Sequence, residues 1–138
     1  MADEHANVEP AVRVLGFDHL VLKCADVDRS LRFYRDELGL PVEREEPWRR
    51  GAVPFPSVRI DPTTIIDLLA GAPEGANVDH FCVVIEPADL GALAAGGRFE
   101  VVAGPATRWG AQGNATSLYV RDPDGNVVEL RSYARAAG

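Results

Sequence analysis

The chain carries two copies of one short pattern, and this internal repeat limits its fold more than any other feature of the sequence. The first copy reads FDHLVL from Phe17 and the second reads VDHFCVV from Val78. His19 and His80 lie 61 residues apart, each directly follows an aspartate, and each begins an apolar run typical of a buried strand. A duplicated fold therefore places the two histidines at equivalent positions about a pseudo-twofold axis.

Two carboxylates repeat with nearly the same spacing. Asp67, in the segment TIIDL, lies 62 residues before Glu129, in the segment NVVEL. Each follows the histidine of its own copy by almost the same interval, 48 residues in the first copy and 49 in the second. A carboxylate among such apolar neighbours needs a metal ion, an arginine such as Arg59, or water as a partner. We therefore expect His19, His80 and the two carboxylates to meet in a metal site.

Each copy is predicted to form a strand, a helix and three further strands. In the first strand, strict alternation places His19 on one face and Asp18 on the other. The following helix is expected to begin at Asp26 as N-cap and to end at Gly39, and a second helix is expected over Ala88–Ala95. The expected units are a loose N-terminal tail at 1–11, a first module at 12–70, a linker at 71–77 and a second module at 78–134.

Two segments rich in proline, glycine, tryptophan and arginine have the composition of loops near a ligand. The first surrounds Trp48 and Arg50, and the second runs from Gly104 to Gly113 and contains Arg108 and Trp109. We expect these two symmetry-related loops to frame one pocket. A surface loop whose Trp48 ring fills a neighbouring gap is the alternative for the first segment.

Composition excludes several classes of function. The net charge of −7 comes from 21 acidic and 14 basic residues spread along the chain, which disfavours a phosphate-backbone ligand such as nucleic acid. No apolar run approaches the length of a membrane span, and the polar start lacks an apolar signal region, so we expect a cytoplasmic protein. Cys24 and Cys82 lie within predicted strands, which favours buried, reduced thiols.

The repeated strand–helix–three-strand order resembles the vicinal oxygen chelate superfamily, also called the glyoxalase, bleomycin-resistance and dioxygenase superfamily. The resemblance covers Val14–Tyr133, within one domain of about 12–134, and rests on DHLVL from Asp18, DRSLRFY from Asp28 and SLYVRDPDGNVVEL from Ser117. It implies an α+β fold in which two tandem βαβββ modules form one cupped, eight-stranded mixed sheet with helices outside. It also implies a homodimer acting on a small molecule.

In the metal-dependent members of this superfamily the ligands come from the first and last strand of each module. By resemblance these are His19, Asp67, His80 and Glu129, holding one divalent ion per chain: Zn²⁺, Ni²⁺, Fe²⁺, Mn²⁺ or Co²⁺. Asp67 departs from the Glu or Gln usual in glyoxalase I relatives and is one methylene shorter. It is therefore either a ligand or a base, and the remaining triad matches the two-histidine, one-carboxylate set that binds Fe²⁺ in extradiol dioxygenases.

Three functions follow from the resemblance. The first is a lyase or isomerase that chelates two neighbouring oxygens of a small carbonyl or carboxylate substrate, with Asp67 and Glu129 as the catalytic carboxylates. The others are an Fe²⁺ ring-cleaving dioxygenase and a metal-free antibiotic-binding protein. The last gives no reason for two equivalent histidines. Trp48, Arg50, Arg59, Arg108 and Trp109 are the expected substrate contacts.

Overall fold

In the computed structural model, residues 9–72, 75, 77–121, 123 and 125–133 are described. The unpaired His5, most of the predicted tail, and parts of the predicted linker and of the last turn lie outside these residues.

The described residues form eight strands and three short α-helices, one of which continues as a π-helix. The strands are β1 Val14–Cys24, β2 Val42–Glu43, β3 Ser57–Asp61, β4 Thr64–Ala70, β5 Val78–Ile85, β6 Glu100–Gly110, β7 Gly113–Arg121 and β8 Val127–Ser132. The helices are α1 Val27–Leu31, α2 Glu45–Arg49 and α3 Leu90–Ala95, and the π-helical segment Arg32–Glu37 follows α1.

All eight strands belong to one open mixed sheet in the order β2-β3-β4-β1-β5-β8-β7-β6. Strand β1 is parallel to β4 and antiparallel to β5, and β5 is parallel to β8. The order reads the same outward from the β1–β5 seam in both directions. This confirms the α+β prediction and places the pseudo-twofold axis between the strands that carry His19 and His80.

The helices pack on one face of the sheet. Helix α1 buries Val27 and Leu31 against Leu68 of β4, while α3 buries Leu90 against Leu118 of β7. Because side chains alternate along a strand, the residues next to these core positions point to the opposite face. Asp67, which precedes Leu68, lies on that opposite face with the other buried polar side chains.

The first predicted helix is confirmed at its start and differs at its end. The Asp26 side chain accepts a hydrogen bond from the Arg29 backbone N–H, as expected of an N-cap. After Leu31 the helix widens into a π-helix, which the apolar spacing did not indicate. Gly39 follows with a φ of 75°, a left-handed conformation that glycine adopts without steric cost.

The prediction of a loop around Trp48 was wrong, because residues 45–49 form helix α2. Pro47 suggested a loop, but it occupies the first turn of this helix, where a missing N–H leaves no internal hydrogen bond unmade.

The prediction of a loop from Gly104 to Gly113 was also wrong. Strand β6 runs to Gly110, and β7 begins at Gly113 after a two-residue turn. A register shift between Ala103 and Ala106 lets the strand accommodate the intervening Gly-Pro pair. The tip of this hairpin contacts the site through Ala111.

The second helix is shorter than predicted. It begins after Asp89, whose side chain caps the Ala92 N–H, rather than at Ala88. Within the described part of the chain, no helix combines the length and apolar character that crossing a membrane requires.

We predict that Leu31→Ala lowers the free energy of unfolding by about 2–5 kcal/mol, because Leu31 is completely buried between α1 and the sheet. Leu38→Ala is the matched control, since that leucine is 54% exposed and follows the same helix. Urea unfolding monitored by circular dichroism measures both. Equal losses in the two variants would contradict the described packing.

Candidate metal centre

Two imidazoles and one carboxylate converge at the β1–β5 seam. The Nε2 atoms of His19 and His80 each lie 3.0 Å from the same oxygen of Glu129, Oε1. The two rings meet edge to face with their centroids 5.5 Å apart. Candidate ligand atoms of these three residues all lie within 4.8 Å of one another. The structure therefore brings together three of the four ligands that the sequence predicted.

Sheet register explains this convergence. His19 on β1 pairs with Cys82 on β5, and Cys82 pairs with Glu129 on β8. The seam also pairs Val21 with His80, so the two histidines lie diagonally across it. Glu129 lies on β8, the strand next to β5, so its carboxylate can reach both rings.

The prediction that Asp18 lies on the opposite face from His19 was wrong. The β1–β5 register shifts between Phe17 and His19, so Asp18 sits in a β-bulge that breaks the alternation. The register shifts again where β5 passes Asp79, the equivalent residue of the second copy. Both bulges turn an aspartate toward the histidine that follows it.

These aspartates hold the imidazoles. Asp18 Oδ1 lies 2.7 Å from His19 Nδ1, and Asp79 Oδ2 lies 2.8 Å from His80 Nδ1. An ionised carboxylate can only accept a hydrogen bond, so each Nδ1 carries the hydrogen and each Nε2 is directed at Glu129. Carboxylate–histidine pairs of this kind orient ligands in metal sites.

The electrostatics of the three residues are mutually supporting. Burial lowers the pKa of His19, but hydrogen bonds with Asp18 and Glu129 outweigh it and raise that pKa to about 9. Burial likewise opposes charge on His80, whose pKa is raised by Glu129 and Asp79. Burial raises the pKa of Glu129, and the two imidazoles more than reverse this, holding it well below its usual range. The pocket thus favours an ionised carboxylate facing positive charge.

Asp67 stands slightly apart from the other three. Its Oδ1 accepts a hydrogen bond of 2.5 Å from the Ser57 hydroxyl, and its Oδ2 lies 3.9 Å from His19 Nε2. It is 1% exposed, and burial raises its pKa despite the nearby imidazoles. Asp67 thus borders the same space as the triad without joining it.

A completely buried arginine, Arg131, lies behind the triad. Its guanidinium is 3.3 Å from Glu129 Oε2 and 3.6 Å from Asp18 Oδ2. It also donates to the backbone carbonyls of Arg108 and Gly113 in the β6–β7 hairpin. Tyr133 donates to Asp18 as well. These contacts connect β1, β8 and the β6–β7 hairpin through the positively charged Arg131.

The hairpin tip closes over the site. The Ala111 backbone N–H donates to Asp18 Oδ1 at 2.9 Å, and Arg59 donates to the Ala111 carbonyl at 2.8 Å. Arg59 is also paired with Glu43. Arg59 therefore connects β3 with the β6–β7 hairpin. Its role in substrate binding stays a prediction.

The other predicted substrate residues are dispersed. Trp48 packs on the hydrophobic cluster beneath α1, which lies across the sheet from His19, and exposed Arg50 is paired with Glu46 at 3.1 Å. Trp109 and Arg108 lie on β6, close to the hairpin tip. The structure therefore does not place Trp48 and Trp109 in one frame, and substrate contact by any of these residues stays a prediction.

Comparison with known proteins decides the family. The model of the Glyoxalase/Bleomycin resistance protein/Dioxygenase superfamily matches residues 16–130. The chain belongs to this superfamily. The region matched contains both Asp-His pairs and both carboxylates, so the superfamily resemblance expected from the sequence is confirmed.

Relatives of this superfamily member include two curated proteins and many solved structures. It is 37% identical over 128 residues to the glyoxalase domain-containing protein RDO1 of Mycosarcoma maydis, covering 89% of this chain and 71% of that protein. It is 30% identical over 120 residues to virulence protein STM3117 of Salmonella typhimurium, covering 84% and 83%. In fold it is similar to methylmalonyl-CoA epimerase of Mycobacterium tuberculosis, with a TM-score of 0.61, 19% identity and coverage of 94% and 95%.

Several residues that build the centre of this superfamily member were not predicted from its sequence. Asp79 could have been found from the sequence, because an aspartate precedes the histidine in each copy. No sequence pattern indicates Ser57, Tyr119 or Arg131, because their roles depend on cross-strand register. Tyr119 is opposite Glu129 on β7 and meets the His80 ring edge to face at 5.3 Å.

We predict that Gly110→Ala lowers the free energy of unfolding by about 1–3 kcal/mol through overpacking. A Cβ at residue 110 would lie 2.6 Å from the Arg131 guanidinium, which is fixed by buried partners. Gly16→Ala is the control, because a Cβ there meets nothing within 4 Å. Chemical denaturation compares the two variants, and an unchanged stability in Gly110→Ala would contradict the tight packing of Arg131.

Proposed function

We propose that the protein is a metal-dependent lyase or isomerase of the glyoxalase kind, acting on a small molecule with two neighbouring oxygens. The observation that carries this proposal is the convergence of His19 Nε2 and His80 Nε2, from the two halves of the sheet, on one oxygen of Glu129. The name of the relative RDO1, a glyoxalase domain-containing protein, supports the same class.

The residues present fit a divalent ion. Two imidazole nitrogens and one carboxylate oxygen are the donors that Zn²⁺, Ni²⁺, Fe²⁺, Mn²⁺ and Co²⁺ accept, and three protein ligands leave positions for substrate. Asp18 and Asp79 fix the ring orientations that such a site needs. Glu129 attracts positive charge on two imidazoles, those of His19 and His80. One divalent ion would supply the same total charge.

When bound, the ion polarises the oxygens that chelate it and stabilises negative charge on them. The protein's own part is to move a proton. We assign Asp67 as the base, because Ser57 occupies its Oδ1 while its Oδ2 faces the triad. Asp67 takes the proton from the carbon beside the substrate carbonyl and returns it, on the same face, to the neighbouring carbon. A pKa raised by burial suits an acid that must return the proton.

A second candidate is an Fe²⁺ ring-cleaving dioxygenase. It is favoured by one observation, namely that the group of mutually close ligand atoms contains His19, His80 and Glu129 but not Asp67. Such a two-histidine, one-carboxylate set is typical of non-haem iron oxygenases. Oxygen consumption with an ortho-diphenol, dependent on added Fe²⁺, distinguishes this candidate from the first.

Arg108 and Trp109 lie on β6, in the hairpin that closes over the centre, and are candidate substrate contacts. The homodimer expected from the superfamily resemblance remains a prediction.

We predict that the purified protein holds about one divalent ion per chain and that His80→Ala loses most of it, because one of three close ligands is removed. Glu86→Ala is the control, since that carboxylate is exposed and paired with Arg13. Elemental analysis of dialysed protein measures the content, and circular dichroism verifies folding. Undiminished metal in folded His80→Ala protein would refute the site.

We predict that Asp67→Asn keeps the metal but slows proton abstraction by at least roughly a hundredfold, the usual scale for loss of a general base. Nuclear magnetic resonance follows the exchange of substrate C–H for deuterium in D₂O, using a 2-hydroxycarbonyl compound that the unmodified protein turns over. Asp61→Asn, at the exposed last residue of β3, serves as control. An unchanged rate of exchange in Asp67→Asn would refute the assignment of Asp67 as the base. Turnover that requires O₂ and Fe²⁺ would favour the dioxygenase.

A further inference from the structure

Arg44 occupies a strained position beside the centre. Its φ of 65° makes it the non-glycine residue with a left-handed backbone among the described residues. Such a conformation is uncommon for a side chain of this size, and residues held in it concentrate at functional sites. It lies between β2 and α2, at the N-cap of that helix. No sequence pattern predicts this conformation, because arginine is not a typical residue for a left-handed turn.

Two aromatic rings hold the Arg44 side chain. Its guanidinium carbon lies 4.2 Å from the Trp109 ring centroid and 5.6 Å from that of Phe55. Trp109 belongs to the second half of the sheet, while Arg44 and Phe55 belong to the first. The stacking therefore joins the two halves on the side where the β6–β7 hairpin closes over the site. Stacked guanidinium groups keep their edge N–H donors available.

In the part of the chain that the structure describes, those donors have no carboxylate partner. Among residues 9–72, 75, 77–121, 123 and 125–133, no carboxylate oxygen lies within 4.0 Å of the Arg44 guanidinium. Arg59 and Arg131, by contrast, are bound to buried or half-buried acids. Burial lowers the pKa of Arg44, and the charge of Asp67 offsets part of that lowering. Asp67 is therefore within electrostatic reach, and the stacking on Trp109 places the guanidinium beside the hairpin that closes over the site.

We propose that Arg44 binds a carboxylate of the substrate that is separate from the two oxygens chelated at the metal centre. This rests on the function proposed above. A half-buried guanidinium, stacked on Trp109 and Phe55 and left without an acid, presents parallel N–H donors that match a carboxylate. Asp18, Asp79 and Glu129 are each engaged by the histidines or Arg131, so their charges are already matched within the site. Arg44 has no such acid among the described residues and is the cation available to a substrate anion. The substrate class is then a small 2-oxygenated acid with a second carboxylate.

The test compares two probes on Co²⁺-loaded protein. Malate carries a 2-hydroxycarboxylate and a second carboxylate, whereas lactate carries the first group alone. We expect malate to bind more tightly than lactate, and Arg44→Gln to weaken malate by about ten- to a hundredfold while leaving lactate unchanged, the scale of one charge-assisted hydrogen-bonded pair. Calorimetry measures affinity, and the Co²⁺ absorption spectrum verifies that both probes reach the ion.

Three variants complete the design. Arg44→Gly removes the guanidinium and suits the left-handed backbone, so it should fold at least as stably as the unmodified protein and lose the malate preference. Arg44→Lys keeps a charge without the planar donor pair and should recover only part of the preference. Arg13→Gln, which alters an exposed arginine paired with Glu86, should change neither affinity.

The outcomes separate this inference from the proposed function. Loss of the Co²⁺ signal in unmodified protein would refute the metal centre. In that event, malate binding is measured on the metal-free protein. Binding that is lost in Arg44→Gln supports the carboxylate site, and no malate binding to the unmodified protein overturns it. With metal bound, equal affinities for malate and lactate, or a malate affinity unchanged in Arg44→Gln, would overturn the role of Arg44 and leave the metal centre standing.

Discussion

The site depends on one shared carboxylate oxygen. Glu129 Oε1 lies 3.0 Å from both His19 Nε2 and His80 Nε2, so it links side chains from the two strands at the centre of the sheet. A buried carboxylate without partners would be costly, and the same is true of two buried imidazolium rings. Each group therefore stabilises the charge of the others. The surrounding aspartates, the buried arginine and the closing hairpin all act on this one cluster.

The internal repeat made much of the fold predictable. Two Asp-His pairs and two carboxylates at matched intervals required equivalent positions in two modules, and the observed strand order is symmetric about the β1–β5 seam. The apolar spacing also located α1, because its buried residues follow helical periodicity. These features depend on local pattern and on duplication, and both can be read directly from a sequence.

The remaining features depend on cross-strand register, which the sequence does not state. Asp18 was assigned to the wrong face because a one-residue bulge reverses alternation, and nothing in its neighbours marks the bulge. Proline and glycine suggested loops where α2 and the β6–β7 hairpin form, since both residues are tolerated at a helix start or at a register shift. Arg44 was missed because its neighbours, Phe55 and Trp109, are distant in sequence.

The two halves of the sheet are nearly equivalent, yet their carboxylates are not. Each acid accepts a serine hydroxyl on one oxygen, Glu129 from Ser117 and Asp67 from Ser57. The other oxygen of Glu129 reaches both histidines, while that of Asp67 stops 3.9 Å from His19 Nε2. A perfectly symmetric pair would give two identical acids with identical environments, and neither could specialise. One methylene breaks that equivalence: the longer side chain reaches both imidazoles, and the shorter one leaves its Oδ2 outside the triad. A difference of a single carbon thereby gives two equivalent positions of a duplicated scaffold different surroundings.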